Sequence, residues 1–351
     1  MWVMKCPGQL RLWPAQSVAS GADAVFYFRW RSCLFGTEQY WHGVLEHSGV
    51  PGRRYHDAAA MTPEMQKVYA EVAGGAVRSD VAIVTDFNDR WGFDQQPNSD
   101  DFSYTKALYP YYKALYRRGV NMDFIHGCDD FGKYKLVLLP YKYILTEEYA
   151  ARLEDFVQNG GVLLTTCRSG VKNECNVPHE AVLPGYLRRA AGIKIEEYES
   201  IDCYAIEYKG RMYTGGTLVD WIKPETAEVL GQYTEDGVPY AAVTANTFGK
   251  GQLWYVGNVP DESLADSVIA DLLETAGVRW FDLPERTEMV IQEKDGVSFV
   301  FLLNHSDAEQ TFKLAGLKGM DLLSGQSGAD WFTVKANDVA VIKSEGAFAG
   351  M

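Results

Sequence analysis

Four consecutive apolar residues, Leu136-Val137-Leu138-Leu139, closed by Pro140, constrain this chain more than any other feature. A strand that is apolar on both sides must be covered on both sides, as in a parallel sheet with helices over each face. Comparable runs recur at Val81-Ala82-Ile83-Val84, Met122-Asp123-Phe124-Ile125, Val162-Leu163-Leu164-Thr165-Thr166 and Leu253-Trp254-Tyr255-Val256-Gly257. Between them lie segments that read as helices. Tyr104 to Arg118 is stopped by Gly119, and Thr146 caps a helix to Gln158 with Glu147 and Glu148 in its first turn. Ser263 to Ala276 is a third. Strand and helix in alternation, with short connections, predict a doubly wound α/β domain over 77–283.

The flanks follow other rules. Over 1–76, Gln9 to Gly21 reads as a helix, and Ala24-Val25-Phe26-Tyr27-Phe28-Arg29-Trp30 as a buried strand. Cys33 to Gly52 is then a loop, and Thr62-Pro63-Glu64 opens a helix with Thr62 as its cap. Over 284–351 strands alternate without a helix. Glu288 to Glu293 and Val297 to Asn304 flank Lys294-Asp295-Gly296, a hairpin signal, and Val339 to Ile342 closes a small antiparallel sandwich.

Charge and cysteine use narrow the function. A formal net charge of -14 repels phosphate backbones and anionic lipid heads, so neither nucleic acid nor membrane is expected as a partner. No run of about 18 apolar residues is present, and the first twenty residues lack a secretory apolar core. Cys6, Cys33, Cys128, Cys167, Cys175 and Cys203 are scattered, with no zinc spacing. They read as reduced thiols of a cytoplasmic protein with neither metal nor other cofactor.

The densest chemistry follows the first strand: Arg29, Trp30 and Arg31, then Glu38, Gln39, Tyr40, Trp41 and His42. A carboxylate and an imidazole can each bond a sugar hydroxyl, and an aromatic face covers the apolar side of a pyranose. A surface loop held by ion pairs would use the same residue types, and Arg31 reads as a buried structural ion pair. Cys167 follows a strand, as a nucleophile would, but is flanked by Thr166 and Arg168 where an elbow needs glycine. A buried thiol is the expectation. Asp86, Asp89, Asp94, Asp100 and Asp101 crowd one stretch without calcium-loop spacing and read as a solvated loop. Gly249-Lys250-Gly251 lacks phosphate-loop spacing and reads as a hairpin turn.

Several linked motifs carry a resemblance. They are Pro7-Gly8-Gln9-Leu10-Arg11-Leu12-Trp13, Gly21-Ala22-Asp23, Phe28-Arg29-Trp30-Arg31, Gly36-Thr37-Glu38-Gln39-Tyr40-Trp41-His42-Gly43-Val44-Leu45 and His47-Ser48-Gly49. In order and spacing they resemble the last β/α unit of the barrel in glycoside hydrolase family 42 β-galactosidases. Ser169-Gly170-Val171-Lys172-Asn173-Glu174 and Gly249-Lys250-Gly251-Gln252 resemble that family's second domain. The resemblance implies three parts: a partial TIM-barrel end (1–76), a flavodoxin-like or amidotransferase-like trimerisation domain (77–283) and a C-terminal β-sandwich (284–351). It implies retaining hydrolysis of terminal β-galactosides by two glutamates. None of the six residues before Pro7 is Glu or Asp, so both glutamates are expected upstream of Met1, and this chain alone is expected to be inactive. Glu38 and His42 are the implied ligands of galactose hydroxyls. A homotrimer is implied, with Trp91 and Phe93 as apolar anchors of the contact. The rival readings are a non-catalytic trimerising assembly module and an amidotransferase-like hydrolase using Cys167.

Overall fold

The computed structural model describes residues 8–127, 130–234 and 240–348; Met1, Cys6, Pro7 and Cys128 lie outside the described residues. The expectation that both catalytic glutamates precede Met1 therefore concerns no part of the described structure. In chain order the α-helices are α1 (Gln9–Ala19), α2 (Arg53–Val72), α3 (Phe87–Gln95), α4 (Tyr104–Tyr116), α5 (Glu147–Gln158), α6 (Arg188–Ala191) and α7 (Glu262–Thr275). The strands begin with β1 (Ala76–Val77), β2 (Val81–Val84), β3 (Met122–Ile125), β4 (Leu136–Leu139), β5 (Val162–Thr166) and β6 (Ile193–Glu199). Then come β7 (Tyr204–Tyr208), β8 (Arg211–Pro224), β9 (Glu228–Tyr233), β10 (Ala241–Phe248), β11 (Gly251–Val256) and β12 (Asn258–Pro260). The last are β13 (Thr287–Lys294), β14 (Val297–Asn304), β15 (Gln310–Asp321), β16 (Ser327–Val334) and β17 (Asp338–Ser344). Two compact units result: 79–115 with 122–279, and 8–78 with 116–121 and 280–348.

The first of these units is mixed α/β. Its strands β3, β2, β4, β5 and β11 lie side by side and parallel. Every residue of β2, β4 and β5 is buried, as their continuous apolar runs require. Thr146 caps α5 by accepting the Tyr149 amide at 3.2 Å, and Asp261 caps α7 through the Leu264 amide at 2.7 Å. Beyond β11 the sheet turns antiparallel through β10, β9, β7, β8 and β12, with β6 also on β8. Gly249 makes the β10–β11 turn at φ 65°, where a Cβ would stand 2.7 Å from the Gln158 backbone, so 249–251 is a hairpin turn. The aspartate-rich stretch differs from the expected solvated loop. It holds helix α3, capped by Asp86, with Asp89 and Phe93 buried.

The other unit is built on one sheet, ordered β1-β13-β14-β17-β15-β16. Asp295 (φ 51°) and Gly296 (φ 78°) make the two-residue turn between β13 and β14. Alternate residues face opposite sides. Phe299, Phe301, Leu303, Val339 and Val341 pack under Leu12, Ala15 and Val18 of α1 and Met61, Met65 and Val68 of α2. Val300, Leu302 and Ile342 pack with Phe312, Leu314 and Phe332 of β15 and β16. The strands form one hydrogen-bonded path in which residues of β15 and β16 pack on one face of β14 and β17, and helices from the opposite end of the sequence cover the other. Polar ties reinforce this cover. Arg11 pairs with Glu64 at 2.8 Å and Asp338 at 2.5 Å, Gln16 donates to Glu288 at 2.7 Å, and Glu71 meets Lys343 at 2.7 Å.

Two expectations for 1–76 are corrected. Helix α2 begins at Arg53, after Gly52, and Thr62 is interior, its hydroxyl donating to the Ala58 carbonyl at 2.7 Å. The run 24–30 is not a strand, and Phe26 is 90% exposed. A ladder needs neighbouring strands to pair with, and among the described residues only the end of this run meets another segment, at Val44 and Leu45 next to a single bridge from Arg31 to Leu45.

Candidate functional site

Glu38 and His42 both sit on the loop 33–42, which leaves and returns through one clasp. The Val44 amide donates to the Arg29 carbonyl at 2.8 Å, the Leu45 amide to Trp30 at 2.7 Å, and the Ser32 amide to Leu45 at 3.0 Å. Gly43 completes it: its amide donates to Ser32 Oγ at 2.9 Å, and a Cβ there would lie 2.6 Å from the Arg31 backbone. A side chain at 43 would prise the clasp open.

Within the loop, Arg29 Nη1 donates to Glu38 Oε2 at 3.1 Å, which fixes the half-exposed carboxylate and leaves acceptor capacity on it. The Arg29 guanidinium also lies over the Phe28 ring at 5.1 Å, and Phe28 meets Trp41 edge-on at 6.4 Å. His42 is exposed on the same loop. Tyr40 and Trp41 are exposed beside it. A carboxylate, an imidazole and open aromatic faces on one closed loop suit a polyhydroxylated ligand. Arg31 departs from the expected buried ion pair. It is exposed, and its Nε donates to the His47 carbonyl at 3.0 Å.

The α/β unit carries two charge clusters that sequence reading missed, both just past the carboxyl ends of parallel strands. After β4, the buried Lys142 Nζ donates to Asp86 Oδ2 and Asp89 Oδ2, each at 2.9 Å. Burial pushes Asp89 up to about 6 despite that ammonium. After β5, Arg168 adopts φ 62°, and its guanidinium pairs with buried Asp220, whose Oδ2 accepts from the Arg168 amide at 2.9 Å and the Tyr255 hydroxyl at 2.7 Å. Cys167, next to Arg168 in the chain, is fully buried. Burial and then the Asp220 charge push its thiol well up, which withholds the thiolate a nucleophile needs. A thiol wholly shut off from solvent speaks against the Cys167 hydrolase reading. Cys33, Cys167, Cys175 and Cys203 are all free. Among the described residues no cluster of three or more metal-ligating side chains occurs, and no helix is long and apolar enough to cross a membrane.

Trp91 and Phe93 part company. Phe93 is 2% exposed and stacks on Tyr143 at 4.1 Å, so it is core. Trp91 is exposed and lies 5.8 Å from the equally exposed Phe87.

Comparison with known proteins gives the chain its relatives. Family models described as β-galactosidase, β-galactosidase trimerisation domain and β-galactosidase C-terminal domain match residues 1–68, 79–279 and 286–344. A β-galactosidase of Planococcus sp. (strain 'SOS Orange') is 33% identical over 97% of this chain and 52% of its own length. One from Haloferax lucentense is 33% identical over 95% of this chain and 49% of its own. The crystal structure of a β-galactosidase from Bacillus circulans sp. alkalophilus superposes with a TM-score of 0.93 at 32% identity, covering 97% of this chain and 52% of that one. The chain thus spans about half the length of the curated relatives it matches.

Proposed function

The chain belongs to the β-galactosidases of glycoside hydrolase family 42, and on that premise we propose that it supplies the C-terminal portion of a retaining enzyme acting on terminal β-galactosides. In this reading 1–76 closes a TIM barrel, 77–283 is a flavodoxin-like or amidotransferase-like domain that assembles a cytoplasmic homotrimer, and 284–351 is the C-terminal β domain. Glu38 accepts hydrogen bonds from galactose hydroxyls, and His42 holds the neighbouring hydroxyl. The observation that carries the reading is Glu38 pinned by Arg29 at 3.1 Å on a clasped loop with open aromatic rings. A pinned carboxylate penalises any sugar that leaves it without a partner.

Retaining hydrolysis needs two carboxyl groups about 5–5.5 Å apart, one acid/base and one nucleophile. Both are expected upstream of Met1, in the half of the relatives that this chain does not match. The chain alone then binds and orients but forms no glycosyl intermediate. A second reading, a trimerising assembly module without catalysis, rests on the match of residues 79–279 to the trimerisation-domain model.

A chromogenic β-galactoside separates them. The chain alone gives no turnover. Joined to the remaining half of the Planococcus relative, it gives turnover, with KM raised roughly tenfold by Glu38→Gln and by His42→Ala, the loss of one buried polar contact. Turnover by the chain alone, or an unchanged KM in both joined variants, overturns the assignment. No turnover in any joined form leaves the assembly module.

A further inference from the structure

Lys172 is 4% exposed, yet among the described residues no carboxylate pairs with it. Its Nζ lies 4.8 Å from the Tyr143 ring centroid, and that ring face is what the ammonium meets. The other buried cations of this unit are answered: Lys142 by two aspartates, Arg168 by Asp220. A buried ammonium without a counter-charge is costly, and a chain with net charge -14 has carboxylates to spare for it.

The backbone holds Lys172 in place. Its amide donates to the Tyr143 carbonyl at 3.0 Å, and its own carbonyl accepts from the Leu145 amide at 2.8 Å. Two residues earlier, Gly170 turns at φ 70°, where a Cβ would stand 2.7 Å from the Pro184 carbonyl. The ammonium is therefore presented by a fixed strap, not by a mobile surface loop.

Lys172 lines a cleft of about 630 Å³ with Pro97, Asn98, Tyr143, Arg168 and Pro178. Tyr143 follows β4 and Arg168 follows β5, so the cleft lies past the carboxyl ends of parallel strands, where open α/β sheets take ligands. Four of its other polar residues are engaged. Asn98 Oδ1 accepts from Arg168 Nε at 2.9 Å, Ser200 donates to the Asn98 carbonyl at 2.6 Å, His179 Nε2 is 3.0 Å from the Leu145 carbonyl, and Glu199 accepts from Trp221 at 2.6 Å. Lys172 adds a cation with no carboxylate partner among the described residues, flanked by a tyrosine ring and two prolines.

We propose that this cleft binds a small carboxylate, one oxygen on Lys172 Nζ and the carbon frame against Tyr143, Pro97 and Pro178. The proposal uses no residue of the loop of Glu38 and does not rest on galactoside binding there. Malonate is the probe, and malonamide its neutral counterpart. Calorimetry on the full chain is expected to show malonate binding and none for malonamide. Lys172→Met is expected to weaken it roughly tenfold to a hundredfold, the span of one charge-assisted hydrogen bond, while Lys172→Arg retains it. Without malonate, Lys172→Met is expected to melt higher than the native chain, because a lone buried charge has been removed. In lysine side-chain 1H–15N spectra of the unaltered chain, the Lys172 ammonium signal is expected to shift with malonate alone, a readout that needs no variant. No malonate binding, equal binding of malonamide, or full binding by Lys172→Met overturns the proposal.

Discussion

Asp89 carries two opposing effects on one carboxyl group. Burial raises it and the Lys142 ammonium lowers it, and burial wins, leaving Asp89 at about 6 against an ordinary 3.8. Its neighbour Asp86 feels burial less. The Lys142 hydrogen bond and charge, with the Asn88 amide, bring it below the usual range. Because the folded value of Asp89 is raised, folding takes up a proton between about pH 4 and 6. Its contribution to stability is full below that window and is lost as pH climbs through about 6. Asp89→Asn is expected to remove this slope. Relative to the native chain, the variant gains on the order of 1–3 kcal/mol between pH 4 and pH 7, read from urea unfolding at both values. A parallel pH dependence in the two proteins would refute it. At this scale the sequence was legible in type but not in environment. Glu38 and His42 stood out as sugar-binding types on a loop, and Cys167 as a thiol after a strand. Nothing in the residue string said that Lys172 would be buried without a counter-ion, because that depends on Tyr143 and the 170–172 strap arriving together.

Elements were legible where local chemistry and packing agree. Strands β2, β4 and β5 announced themselves because parallel strands covered on both faces must be apolar throughout. The antiparallel extension from β6 to β9 was not read, since strands such as Glu228–Tyr233 mix exposed and buried positions. The start of α2 was misplaced because Thr62-Pro63 imitates a cap while the true one, Gly52, uses no side chain. The aromatic run 24–30 has strand composition without strand partners, and composition cannot supply a partner. The cover of β14 and β17 by α1 and α2 was also invisible, since their contacts span some 270 residues of chain. It has a measurable consequence. Phe301 is wholly buried under these helices, and Phe301→Ala is expected to cost about 3–5 kcal/mol in urea unfolding, with α1 and the sheet lost together. Residues 284–351 expressed alone would expose Phe299, Phe301, Leu303, Val339 and Val341. Poorly dispersed amide NMR signals are expected, and a well-dispersed spectrum would show that the helices are dispensable.

For the whole molecule, the proposed assembly is the property to measure. Light scattering is expected to give three copies of the chain, and a monomer at every concentration would count against the proposed homotrimer. Phe87 and Trp91 form an exposed aromatic pair on α3. Trp91→Ser is expected to shift the assembly toward monomer while the far-ultraviolet circular dichroism stays unchanged. The division of the chain has a further consequence, for its birth on the ribosome. Helices α1 and α2 are translated well before the strands that cover their apolar face, β14 and β17, of which the first begins at Val297. About 200 residues must be translated in between, which at about 5–20 residues per second is a wait of roughly 10–40 s. For that interval the two helices carry an apolar face with no sheet to cover it, a surface of the kind that nascent-chain chaperones bind.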